Sequence, residues 1–228
     1  MNTARTTASR FPSLPYVLPF AAFLFFLLLQ PVNPLPERIE YPIRTLVLAA
    51  VLWFCSRREI SLRVSHLAGS LLLGVAVFAV WVAPDLLIPG YRSNPLFQNA
   101  VTGFLESTLA ETVRSDRLVL AFRTVRAVVL VPVIEELFWR AWLMRWLIHV
   151  DFRKLPPGAF SAGSFALTAL LFGSEHGPYW DVGLIAGVAY NWWMVRTRSL
   201  GDCILSHAVT NACLSAFVLG AGKWEYWL

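Results

Sequence analysis

Pro132-Val133-Ile134-Glu135-Glu136-Leu137-Phe138-Trp139-Arg140 sets two adjacent carboxylates and a guanidinium into an otherwise apolar helix. Residues 128–131 before it and 141–148 after it are almost entirely apolar. An ionisable group at membrane depth is expensive, so it is normally paired and normally functional. Glu136 and Arg140 are four apart, which puts them on one helix face within pairing reach. Glu135 lies about 100° round the helix from Glu136. One carboxylate therefore has a built-in partner and the other does not, and the unpaired one is the candidate for chemistry.

Composition sets the context. Of 228 residues, 57% are hydrophobic and 14% charged, with mean hydropathy +0.59; a soluble domain carries about 25% charged residues. Ten Trp and sixteen Phe suit a lipid-embedded chain with interfacial anchors. The net charge of +5 is spread over loops and forms no continuous basic face, which excludes a nucleic-acid partner. Cys55, Cys203 and Cys213 lie in or at the ends of apolar segments without CxxC spacing. They read as small buried hydrophobes, with neither a disulfide framework nor a zinc knuckle.

The chain reads as an all-α polytopic membrane protein, with about seven transmembrane helices in one bundle around an intramembrane polar cavity. After a basic arm over residues 1–13, the apolar runs are 14–29, 43–55, 67–82, 123–150, 159–173, 182–195 and 203–219. The first lacks a cleavage pattern and reads as a retained span rather than a signal peptide. The second is short and needs flanking side chains to reach the surface. Residues 31–42 read as a Pro-rich loop. Residues 84–117 form the longest polar connection, with an interfacial amphipathic helix expected over 97–113. Pro132 is expected to kink the fourth helix and free a carbonyl about one turn back. Gly69, Gly74, Gly177, Gly183 and Gly187 are small packing positions. The tail ends in an aromatic interfacial segment. Lys and Arg collect in the loops that an N-in, C-out topology leaves inside.

Two further stretches break the apolar pattern: Phe172-Gly173-Ser174-Glu175-His176-Gly177, and His207-Ala208-Val209-Thr210-Asn211. His207 and Asn211, four apart, point the same way. Each residue has an ordinary use when taken singly. A histidine or Asn211 can be an interhelical hydrogen-bond partner, Glu136 with Arg140 a structural ion pair, and Glu175 a solvated residue at a loop edge. Together, Glu135, His176, His207 and Asn211 satisfy one another most simply around a wet cavity, because none can stay unpaired in lipid without cost. A carboxylate and an imidazole can hold and deprotonate water; a second imidazole and an amide can donate to an oxyanion. Glu135, His176 and His207 also make a His₂Glu set that suits a catalytic zinc, and the residues alone leave both open. HExxH, GxSxG and GxGD patterns are absent.

The Glu-Glu-x-x-x-Arg of Glu135, Glu136 and Arg140, then Phe172-x-x-x-His176, then His207-x-x-x-Asn211 resemble the three motifs of the CPBP family of intramembrane proteases. That family includes the type II CAAX prenyl endopeptidases and bacterial relatives linked to abortive infection or bacteriocin self-immunity. The resemblance covers roughly residues 120–220. It implies an endopeptidase in which Glu135 is the general base acting with His176, His207 and Asn211 line the oxyanion side, and Glu136 and Arg140 shape the site. It implies no cofactor by preference, with zinc on Glu135, His176 and His207 as the alternative. The organisation expected is N-terminal helices and connection over 1–118, a catalytic core over 119–220 and a tail over 221–228, in one structural domain. The partners implied are a bilayer and a membrane-associated or lipidated substrate, and the localisation is multi-pass: the inner membrane of a prokaryote or the endoplasmic reticulum of a eukaryote. The competing reading is a non-catalytic membrane scaffold or immunity protein that binds a partner. A transporter ranks below both, since no second copy of the Glu pair exists.

Overall fold

The computed structural model describes residues 11–227. The basic arm expected over 1–13, with Arg5 and Arg10, lies mostly outside them. Seven long helices follow one another, and no strand occurs among the described residues. They are α1 (Leu14–Leu29), α2 (Glu37–Val51, continued as a wider turn over Leu52–Ser56) and α3 (Leu67–Leu87). Helix α4 is an unbroken helical run over 117–146, followed by α5 (Ala162–Ser174), α6 (Trp180–Thr197) and α7 (Leu200–Ala221). Four of them, with their terminal turns, are long and apolar enough to cross a membrane: Leu14–Val32, Glu37–Ser56, Leu67–Leu87 and Leu200–Ala221.

Polarity is distributed inside out. Leu28, Phe54, Leu72 and Leu87 turn outward and stand more than two-thirds exposed, while Arg44, Glu136 and Arg140 are at most 1% exposed. In lipid, apolar burial does not drive helices together; close backbone approach and polar contacts do. Gly74 provides such an approach: a Cβ there would meet the Ser206 carbonyl at 2.5 Å and Val209 at 2.7 Å, so α3 lies directly on α7. At the far end of that pair Asp202 accepts from the backbone N–H of Ser65 (2.9 Å) and of His66 (3.0 Å), pinning the entry of α3 to the start of α7. Helix α4 runs through the middle, touched by α1, α2, α5 and α7.

Helix α4 begins at Asp116, whose carboxylate accepts from the N–H of Leu118 and Val119, an ordinary N-cap. Pro132 does not break it. The helix widens instead over Arg126–Leu130, where the Val131 N–H reaches the Arg126 carbonyl, five residues back. In that register the next carbonyl, Ala127, would be served by residue 132, a proline without an N–H. The Asn211 amide of α7 donates to it at 2.8 Å. The carbonyl expected to be freed is thus Ala127, and its partner is a motif residue.

Several expectations need correction. Helix α2 starts at Glu37, not in the forties. Glu37 and Glu40 favour its first turn, and Glu40 accepts from Arg44 one turn on, so the charged stretch is buried helix rather than loop. No amphipathic helix forms over 97–113. Asn99 accepts from the N–H of Val101 and Thr102 and Thr102 donates to the Phe97 carbonyl, so side chains take the backbone groups a helix would need. The connection is not solvated either. Arg92, 3% exposed, donates to Asp181 (2.7 Å) and the Pro178 carbonyl (2.6 Å) and stacks on Tyr179 at 4.2 Å, strapping the loop over one end of the bundle. The aromatic tail also folds inward: the Trp227 carbonyl accepts from Thr108 (3.0 Å), and Tyr226 and Trp227 are buried. Burial raises the Tyr226 and Tyr179 hydroxyls above their usual range, and the Asp85 carboxylate that Tyr226 donates to adds to the rise at Tyr226. Both therefore stay protonated donors. Finally, of the free cysteines only Cys203 is fully buried; Cys55 lies on the outward surface.

Candidate active site

A cavity of about 810 Å³ opens between α1, α3, α4, α7, the 102–108 loop and the tail. Glu135, His176, His207 and Asn211 all line it; Glu136 and Arg140 do not. The adjacent carboxylates are separated by the helix itself. Glu136 is fully buried on the closed side, where its Oε1 accepts from Arg140 Nη1 (3.0 Å) and His207 Nδ1 (2.9 Å). Arg140 in turn donates to Asn191 Oδ1 (3.1 Å) and lies 4.2 Å over the Phe172 ring. Asn191 donates to the Phe165 carbonyl (2.9 Å), which ties α6 to α5. Glu136 is therefore more than half of an ion pair within one helix. It fixes the ring of a histidine 71 residues away.

Glu135 faces the cavity, and its Oε2 has no hydrogen-bond partner among the described residues. The nearest cation-capable group is His207 Nε2, at 3.9 Å. Tyr190 holds the His207 ring from the other side, stacked at 5.0 Å, and anchors its own hydroxyl on Thr210 at 2.7 Å. Because an ionised carboxylate only accepts, Nδ1 of His207 is the donor to Glu136 and Nε2 is the atom presented to the cavity.

His176 sits at the end of α5. Its Nδ1 meets the Phe172 carbonyl at 2.7 Å, and a carbonyl only accepts, so Nδ1 carries the proton and Nε2 is left as an acceptor. Trp81 packs edge-on at 5.1 Å. Gly183 makes room behind: a Cβ there would stand 3.1 Å from the imidazole.

Glu175, read from sequence as solvated, is the residue that reading missed. It lines the same cavity, and Trp139 Nε1 donates to its Oε1 at 3.1 Å. It is exposed, at the C-terminal end of α5. Ligand atoms of Glu135, Glu175 and His176 lie within 4.8 Å of one another. His207, the third member of the metal set expected with Glu135 and His176, is not in that group; its Nε2 faces Glu135 Oε2 at 3.9 Å. No spacing rule reveals Glu175, but its adjacency to a motif histidine at a helix end was a usable signal.

The class of protein is thus an all-helical one with apolar spans and a polar site buried among them. Residues 116–213 match the family model described as Type II CAAX prenyl endopeptidase Rce1-like, which bears out the resemblance drawn from the three motifs. The matched segment runs from the cap of α4 into α7 and contains all seven motif residues. No curated protein and no solved structure matches the chain.

Proposed function

We propose that this protein is an intramembrane endopeptidase that hydrolyses a peptide bond of a membrane-associated protein. What carries the reading is one observation: Glu135, with an unpartnered Oε2, shares a cavity with His176, His207 and Asn211 brought from other helices. Glu135 and His176 Nε2 are both acceptors and can hold the two protons of one water. Glu135 takes a proton as the water oxygen attacks the substrate carbonyl. His207, held through Nδ1 by Glu136, and the second N–H of the Asn211 amide line the side of the cavity that receives the oxyanion. Collapse returns the proton to the departing amine, so peptide and water become acid and amine. Phe23, Leu24 and Leu27 of α1 give the cavity an apolar wall that suits a lipid chain on the substrate. In this reading all seven helices are embedded, with the N-terminus inside and the C-terminus outside.

A metal-bound variant of this reading uses different residues. Glu135, Glu175 and His176 would hold a zinc ion, which would supply an acidified water. The metal-independent route is preferred because Glu135 and His176 can hold and deprotonate a water between them without a metal. The test is cleavage of a lipidated peptide by purified protein. Glu135→Gln and His176→Ala should each abolish turnover while remaining folded, and a strong chelator should leave the wild type active. Loss on chelation with recovery by zinc would establish the metal route. A Glu135→Gln variant with wild-type biological effect would establish the scaffold reading instead.

A further inference from the structure

A second cavity, of about 400 Å³, lies at the other end of α1 and α4, between the 60–65 connection and the turn from α6 to α7. Tyr16 of α1 and Arg145 of α4 line it, and neither lines the Glu135 cavity. Residues 60–64 form neither helix nor turn. Ser61, Arg63 and Ser65 line the cavity while Leu62 and Val64 are exposed outside it, the alternation of an extended chain. The wall carries Arg63, Arg145 and Arg198 against one carboxylate, Glu59, among the described residues. Glu59 is already engaged, accepting from the Tyr16 hydroxyl (2.6 Å) and from Arg153 (3.2 Å). Arg145, 8% exposed, donates to the carbonyls of Ala141 (2.6 Å) and Leu155 (3.1 Å). None of the three wall arginines is in an ion pair among the described residues. Arg198 is held there against its backbone preference. It follows α6 with φ 54°, the only non-glycine in the left-handed region among the described residues, at a position glycine normally takes. Gly158 makes room for it: a Cβ there would stand 3.0 Å from Arg198 Cγ and 2.5 Å from the Met194 carbonyl oxygen. A strained residue kept beside a cavity points to a use for its side chain.

We propose that this cavity binds the phosphate group of an anionic phospholipid. Guanidinium groups grip phosphate oxygens through forked, charge-assisted hydrogen bonds. An anion offsets the excess of Arg63, Arg145 and Arg198 over a carboxylate that is already engaged. The volume lies near the lower end of the range for small-molecule sites, about 300–1,000 Å³, so it suits a headgroup and not a whole lipid. Leu62 and Val64 favour a lipid over free phosphate. They stand outward on the segment that turns Arg63 inward, so in a bilayer they meet acyl chains where Arg63 meets the headgroup. Basic pockets at the ends of membrane helices take anionic headgroups in this way. A lipid bound there clasps the 60–65 connection, the end of α4 and the α6–α7 turn together. The proposal stands whether or not the Glu135 end cleaves peptides.

The test titrates delipidated full-length protein in neutral micelles with phosphatidylglycerol or with phosphatidylcholine of the same acyl chains, and counts bound lipid by native mass spectrometry. The wild type should hold one phosphatidylglycerol at least about fivefold more tightly than phosphatidylcholine. Arg63→Gln and Arg198→Gln should each weaken phosphatidylglycerol about fivefold and leave phosphatidylcholine unchanged. Arg196→Gln makes the same charge change at the same end of α6 but off the cavity wall, and should leave the preference intact. Arg198→Gly guards against misfolding: glycine relieves the positive φ, so this variant should unfold at no lower a temperature in lipid-free micelles and still lose the preference. Equal binding of the two lipids by the wild type, or wild-type preference in both Arg63→Gln and Arg198→Gly, overturns the site. So does an equal loss in Arg196→Gln, which would mean general attraction to a basic surface. Inorganic phosphate alone should not raise the unfolding temperature of the lipid-free protein. A rise that Arg198→Gly removes would assign the cavity to free phosphate, and the lipid proposal would fall.

Discussion

A double-mutant cycle can separate the structural contact of Asn211 from the oxyanion role proposed for it. Its amide donates to the Ala127 carbonyl, which the wide turn before Pro132 leaves without a backbone donor. Asn211→Leu keeps the volume and removes the donor. Interhelical side-chain bonds in membranes average about 0.6 kcal/mol and reach about 1.7. An orphaned buried carbonyl costs about 1–3 kcal/mol, so a loss of about 1–2 kcal/mol is expected. Pro132→Ala supplies the missing amide. If the wide register persists, residue 132 itself donates to Ala127; if the helix relaxes to the α register, Val131 does. Either way Asn211 becomes dispensable for stability, and in that background Asn211→Leu should cost less than about 0.5 kcal/mol. The assay is equilibrium unfolding in detergent by steric trapping. Turnover behaves differently: a lost oxyanion donor should reduce kcat about 100-fold in both backgrounds. An equal stability cost with and without Pro132 would refute the account of the wide turn.

Three further outcomes follow from the same geometry. Glu136→Gln removes the charge that orients His207 and offsets Arg140, so kcat should drop up to about 100-fold with little change in KM; an unchanged kcat in a steady-state assay would show that His207 needs no anchor. Gly183→Ala puts a methyl 3.1 Å from the His176 ring, and the displaced ring should lower kcat about 10-fold while substrate still binds to a Glu135→Gln trap carrying the same change. Asp202→Ala strands the amides of Ser65 and His66 and should destabilise the fold by about 2 kcal/mol, with turnover per folded molecule unchanged; an unaltered unfolding curve would contradict the pinning of α3 to α7.

Seven apolar runs in the sequence correspond to seven helices because a long apolar stretch satisfies its backbone groups most simply within itself, α4 needing help only at Ala127. Their ends were less legible. The start of α2 depends on Glu40 meeting Arg44 inside the protein, and such a buried pair reads as a polar loop when only hydropathy is considered. The 88–116 connection was misread for a related reason. Its shape comes from Arg92 reaching Asp181 and Pro178, 86 to 89 residues away, and local periodicity carries no trace of that. Within the site, spacing made Glu136 with Arg140 visible. The Glu136–His207 bond joins α4 to α7 and depends on how the two helices rotate against each other. Glu175 was hidden the same way, since its role depends on Trp139 crossing from α4 to meet it.

The doubled carboxylate works as a device because neighbours on a helix face different surroundings. Glu136 points where Arg140, Asn191 and His207 close round it, so its charge is spent on holding a ring and three helices in place. Glu135, about 100° away, points into a cavity where its Oε2 has no hydrogen-bond partner among the described residues. The sequence pattern could be kept with the two roles exchanged only by rotating α4 by that angle. The rotation would carry Arg126 and Ala127 with it, breaking the Asn211 contact and taking Arg126 off the cavity wall. The register of α4, set by the wide turn at Arg126–Leu130 and held by Asn211, is therefore what decides which carboxylate faces the cavity.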